Sequence, residues 1–79
     1  MKHTSLVKKL EKLDLIVQTF NGERYYVYHN GKILNWVKQD DSALVVNIYK
    51  EKDAPDMLID YNPANYVRTI KEAVDSLTK

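Results

Sequence analysis

The sequence has no cysteine, two glycines, two prolines and two histidines among 79 residues. Without cysteine there is no disulfide to staple a small domain and no thiolate to hold a metal. His3 and His29 each lack a second His at ligand spacing, which argues against a zinc site. His3 stands near a terminus that is expected to fray, and His29 reads as a solvated strand end. Ser5, Ser42 and Ser76 lie outside any nucleophile-elbow context, and no Gly-rich stretch could cradle a phosphate. No apolar run approaches the ~18 residues of a membrane span. The Lys-rich N-terminal stretch lacks the apolar centre of a secretory signal. Together these absences predict a cytoplasmic protein with no membrane attachment, no cofactor and no catalytic residues.

What is present suits one small globular domain over residues 1–79. Apolar residues make up 44% of the chain, too many for a disordered one. A domain this size buries only about 60% of its unfolded surface, so it gains from a partner or a second copy. The net charge is +1 but is spread unevenly: residues 1–13 carry +3 and residues 39–62 carry −4. Such asymmetry can orient a protein on a charged partner, although ordinary solvated surface charge is the preferred account.

The stretch from Asp14 to Lys50 reads as four short strands: Asp14–Phe20, Arg24–His29, Lys32–Lys38 and Ala43–Lys50. Both glycines follow an Asn, at Asn21-Gly22 and Asn30-Gly31, between apolar and aromatic runs. Asn-Gly accepts the positive φ that a two-residue type I′ hairpin requires. Two such turns fix a register in which Ile16, Gln18, Phe20, Tyr25, Val27, His29, Leu34 and Trp36 share one face. Leu44, Val46 and Ile48 of the last strand are expected to join them as the core. The other face carries Leu15, Val17, Thr19, Arg24, Tyr26, Tyr28, Ile33, Asn35 and Val37, with Asn47 and Tyr49 alongside. It is the face expected to stay wet.

A helix is predicted on each side of this meander. Leu6, Leu10 and Leu13 form a stripe over Thr4–Leu13, with Thr4 or Ser5 as cap and Lys8, Lys9 and Lys12 on other faces. A basic helix could meet phosphates; an ordinary amphipathic helix lying on a sheet is the preferred account. Toward the C-terminus, Asn62 and Pro63 resemble a cap and first turn, followed by a stripe of Tyr66, Val67, Ile70, Ala73, Val74 and Leu77. Arg68–Glu72 and Lys71–Asp75 have the spacing of helical ion pairs. The fold class is therefore α+β, in the order α-β-β-β-β-α, with both helices on one face of an antiparallel meander.

Two surfaces are candidates for binding. The first is the wet face, with Arg24, Tyr26, Tyr28, Asn35, Asn47 and Tyr49. Tyr and Arg bury large area while keeping a polar tip, as binding hot spots require. The second is the acidic connection with Asp53, Asp56, Asp60 and Tyr61. Its spacing matches a calcium loop poorly, because the internal Gly and the terminal Glu are missing. A helix–meander–helix order also approaches that of a double-stranded-RNA-binding domain. The acids ahead of the second helix would repel phosphate where such a domain needs lysine.

Several residues between Asn30 and Leu77 resemble a family of small domains from phages and mobile elements, the large polyvalent protein-associated domains. They are Asn30-Gly31 followed by Trp36, Asp56-Met57, Asp60-Tyr61 with Pro63, and Thr69-Ile70-Lys71-Glu72-Ala73. The family usually has Gly just after the proline, where this chain has Ala64. The resemblance implies phage or prophage origin, a small α+β domain and no catalytic activity. Residues and resemblance together predict a non-catalytic protein-binding module that modulates a host or defence protein. The alternative is a nucleic-acid binder using the tyrosine and arginine face.

Overall fold

The computed structural model describes residues 1–54 and 63–79. Helix α1 (His3–Lys12) leads into four antiparallel strands in sequential order, β1 (Gln18–Phe20), β2 (Arg24–His29), β3 (Lys32–Gln39) and β4 (Ser42–Lys50). Single 3-10 turns follow at Glu51–Asp53 and Pro63–Asn65, and helix α2 (Ile70–Thr78) closes the described chain. Leu6 and Leu10 of α1 and Ala73 and Leu77 of α2 pack into one cluster with Val27, Leu34, Trp36 and Val46. Both helices therefore cover the same face of the meander, and the fold is the α+β arrangement that the sequence implies.

Helix α1 is fixed at both ends by contacts beyond its own stripe. Asp41, in the β3–β4 turn, accepts hydrogen bonds from the Thr4 N–H (3.1 Å) and from the Thr4 hydroxyl, while its carbonyl accepts from the His3 N–H (2.8 Å). A carboxylate from a distant turn thus does the capping expected of Thr4 or Ser5, and it complements the positive end of the helix dipole. Those hydrogen bonds also hold the Asp41 carboxyl below its ordinary range. At the other end Asp14 takes φ +61°, and the N–H groups of Leu15 and Asp14 donate to the carbonyls of Leu10 and Glu11. This is a Schellman stop. Asp14 therefore terminates a helix instead of opening a strand, and β1 shortens to three residues.

The two Asn-Gly turns behave differently. Asn30 and Gly31 form a two-residue turn closed by His29 and Lys32, which places Val27 opposite Leu34 and Tyr25 opposite Trp36, as expected. Asn21 and Gly22 also take positive φ, but Glu23 stays outside the β1–β2 ladder, and its carbonyl accepts from the Lys38 N–H at 2.7 Å. Phe20 therefore pairs with Arg24 and Gln18 with Tyr26. A shift of one residue exchanges the faces of a strand. Leu15 and Val17, assigned above to the wet face, join the core, whereas Ile16 and Phe20 stand 74% and 56% exposed.

A second irregularity re-aims β4. Between the Asn35–Asn47 and Val37–Leu44 pairs, β4 holds one extra residue, and Val45 takes φ +50°. The Asn47 side chain donates to the Val45 carbonyl at 2.7 Å and so braces this bulge. Val46 and Ile48 reach the core as expected, but Leu44, on the other side of the bulge, turns to the opposite face and is 39% exposed. Beyond the bulge the Val46 carbonyl accepts from the Val67 N–H at 2.8 Å, and Tyr66 bridges to Asn47.

Tyr66 and Val67 are therefore extended beside β4, not part of a helix that starts at Pro63. Asn62, its expected cap, lies outside the described residues. The cap of α2 is Thr69, whose hydroxyl accepts from the Glu72 N–H while the Glu72 carboxylate accepts from the Arg68 N–H, each at 3.1 Å. This is close to a capping box, and Thr69-x-x-Glu72 is its sequence signature. The same bond gives Glu72 a backbone partner where an ion pair with Arg68 was expected. Asp75 lies 3.7 Å from Lys79, one turn beyond it.

Candidate functional site

The register sets the candidate residues in rows across the sheet. Tyr26, Asn35 and Asn47 are cross-strand neighbours, as are Tyr28, Ile33 and Tyr49 in the next row and Arg24, Val37 and Leu44 in the row beyond. All six residues singled out on the wet face thus lie on one surface, opposite the helices. They are not equally accessible. Asn35 and Asn47 are fully buried and Tyr49 is 6% exposed, whereas Arg24 and Tyr26 are half-buried and Tyr28 is 47% exposed. The accessible part lies toward β1 and β2, where the register shift adds Phe20 and the bulge adds Leu44.

Within this patch the side chains hold one another. Tyr26 and Tyr28 meet edge to face with ring centroids 5.5 Å apart, a favoured aromatic geometry. The Arg24 guanidinium donates to the Asn35 Oδ1 at 3.4 Å. Asn35 is buried and therefore fixed, so it orients an arginine that would otherwise sample many rotamers. The result is an apolar surface with one positive charge.

The acidic candidate is described only in part. Asp53 is exposed in the 3-10 turn after β4, while Asp56, Asp60 and Tyr61 lie outside the described residues. Asp53 borders an open hollow of about 550 Å³ shared with Lys32, Lys50, Asn65 and Ser76. The Lys32 ammonium there donates to the Ser76 carbonyl near the end of α2, at 2.8 Å. Among the described residues, no group of three His, Asp or Glu converges as a metal site. No helix among them is long and apolar enough to cross a membrane.

His3 corrects the sequence reading. It is 9% exposed, with its Nδ1 accepting from the Trp36 indole at 3.0 Å and its ring against the edge of Tyr25 at 4.5 Å. A side chain expected to fray is part of the core. Burial lowers its pKa, the nearby Lys38 lowers it further, and Asp41 opposes them weakly. No local signal could have found this contact, because 33 residues separate its partners.

No family model, no curated protein and no solved structure matches this chain.

Proposed function

We propose that this chain is a non-catalytic protein-binding module whose partner docks on the sheet face opposite the helices. One observation supports the reading: Phe20, Tyr28 and Leu44 are 56%, 47% and 39% exposed on the same face, around the half-buried Tyr26 and Arg24. Large apolar side chains gathered on one surface mark contact sites, and aromatic and arginine anchors carry most of the energy in such contacts. The buried Asn35 beneath Arg24 pre-organises the charged member, which lowers the entropy cost of binding. The matching surface on a partner is apolar. The family resemblance adds a phage or prophage setting, in which the partner is a host or defence factor.

The test uses a variant with Tyr28→Ser and Leu44→Ser. Both side chains lie far enough out for the fold to survive, as circular dichroism would verify. Wild type and variant, immobilised in parallel, are offered a bacterial lysate, and retained proteins are identified by mass spectrometry. The expected result is a protein held by the wild type and absent from the folded variant. Identical sets on both would overturn the assignment of the face.

A further inference from the structure

We propose that β1 pairs antiparallel with β1 of a second copy, joining two sheets into one across a two-fold axis at Gln18. This edge borders the face assigned above and shares Phe20 with it, but the inference does not rest on that assignment.

The hydrogen-bonding direction of each residue follows from the ladder. In an antiparallel pair, successive residues direct their N–H and C=O groups alternately to one neighbour and to the other. His29 and Lys32 close the two-residue turn, so His29, Val27 and Tyr25 bond toward β3. The bond from the Lys38 N–H to the Glu23 carbonyl, at 2.7 Å, continues that alternation. Tyr28, Tyr26 and Arg24 therefore bond toward β1, where Tyr26 meets Gln18 and Arg24 meets Phe20. Thr19, between them, directs its own N–H and C=O away from the sheet; continued one step before the strand, the same alternation would give Val17 an outward pair. All three β1 residues are exposed.

Native sheets guard such an edge with a very short strand, lysine, proline, a bulge or a covering segment. The opposite edge of this sheet has that protection: Lys2 bridges to Ser42, Tyr66 bridges to Asn47, and Val45 forms a bulge. Of these the β1 edge has only its shortness, three residues, among the described residues. From Leu15 to Gly22 it carries no charge, although 29% of the chain is charged.

The same features identify the occupant as a second copy. A two-fold at Gln18 brings Thr19 opposite Val17 of the second copy, twice, so that the outward groups of both residues bond each other. It also brings Ile16 opposite Phe20 of the second copy. These are the two most exposed large apolar side chains among the described residues, and each would cover the other. Self-pairing sets every residue against its own chain's chemistry, which an uncharged segment tolerates and a charged one does not. Asp14 and Glu23, at the ends of the segment, do not face each other in this register.

Sedimentation equilibrium from low micromolar to near-millimolar concentration tests the proposal, together with amide exchange on the wild type. The expected wild-type mass rises from one chain to two, and the Thr19 and Val17 amides gain protection as it does. Gln18→Lys sets two ammonium groups face to face at the axis; Thr19→Pro removes an outward donor and leaves the backbone bonds of Gln18 and Phe20 to β2, although it also removes the Thr19 hydroxyl's bond to the Arg24 carbonyl (3.1 Å). Each should stay at the mass of one chain while keeping its circular dichroism. If Thr19→Pro unfolds, Gln18→Lys decides, because Gln18 is exposed. The Tyr28→Ser, Leu44→Ser variant should dimerise like the wild type. A wild type that stays at one chain throughout overturns the proposal. So does a dimer that survives in folded Gln18→Lys, or one lost only when Tyr28 and Leu44 are changed.

Discussion

The indole of Trp36 donates to the imidazole Nδ1 of His3 across 3.0 Å, and both side chains are buried. Tyr25 completes the group, stacked on Trp36 with ring centroids 5.9 Å apart and set against the edge of His3. An acceptor at Nδ1 requires a neutral imidazole with its hydrogen on Nε2. Protonation would bring a second N–H against that of Trp36.

A pH dependence of stability follows. The folded pKa of His3 lies below its ordinary value, so the unfolded chain binds the proton more readily. The stabilisation is complete above the unfolded value of about 6.5 and is lost as pH falls toward and through the folded pKa. The urea midpoint should therefore fall between pH 8 and pH 5. His3→Gln, which offers the indole an amide oxygen that does not titrate, should lose most of that slope. An equal slope in the variant would remove His3 as its source. Asp41 acts in a separate, more acidic window: its contribution is complete above its unfolded value and is lost as pH falls from there through its depressed folded pKa.

The Asn30-Gly31 turn should be costly to change for conformational reasons alone. Both residues have positive φ, +55° and +72°, and nothing lies within 4 Å of where a Cβ on Gly31 would stand. Replacing the pair by Ala-Ala should destabilise the domain by roughly 1–3 kcal/mol, because each Cβ opposes the left-handed conformation. Chemical denaturation measures this directly, and an unchanged midpoint would contradict the turn geometry.

Why one Asn-Gly pair makes a two-residue turn and the other does not is invisible locally. The dipeptides are identical, and the difference is that the Glu23 carbonyl has a partner in Lys38, on a strand not yet reached by the chain. Short-range chemistry therefore sufficed for the β2–β3 register, and a tertiary bond decided which face β1 shows. The second helix failed for a different reason: Asn62-Pro63 and Thr69-x-x-Glu72 are both legitimate starts, and the β4 bulge holds Tyr66 and Val67 extended. The candidate face was legible as a set of tyrosines and amides on alternate positions. Its accessible part was not, because Phe20 and Leu44 reach it only through the register shift and the bulge.

Val45 is a β-branched residue at φ +50°, where only glycine is unstrained. Val45→Gly should raise stability by about 1 kcal/mol, the relief of strain exceeding the loss of a half-buried side chain. A lower melting temperature would show that the Val45 side chain matters more than its backbone. Asn47→Ala removes the brace on the same bulge and should act in the opposite direction.

Nucleic acid should not bind usefully at physiological salt. The net charge is +1, and the accessible face offers one guanidinium, already held by Asn35. Phosphate affinity grows with the number of cations that release counterions, one on that face is too few, and the exposed Lys8, Lys9 and Lys12 lie on α1, across the sheet from it. A mobility-shift titration with single- and double-stranded RNA and DNA at about 150 mM salt checks this. Sub-micromolar binding would favour the tyrosine and arginine face as a base-stacking platform.

The unequal edges of the sheet also bear on how far edge-to-edge growth can go. A fibril needs each molecule to offer two free edges, one to receive a neighbour and one to pass the template on. Here the Met1 carbonyl is engaged with the Ala43 N–H and the Val46 carbonyl with the Val67 N–H, so the β4 side is occupied along both of its halves. Among the described residues the open edge is β1, and two chains paired there as proposed would each have used it. Such a sheet terminates its own assembly.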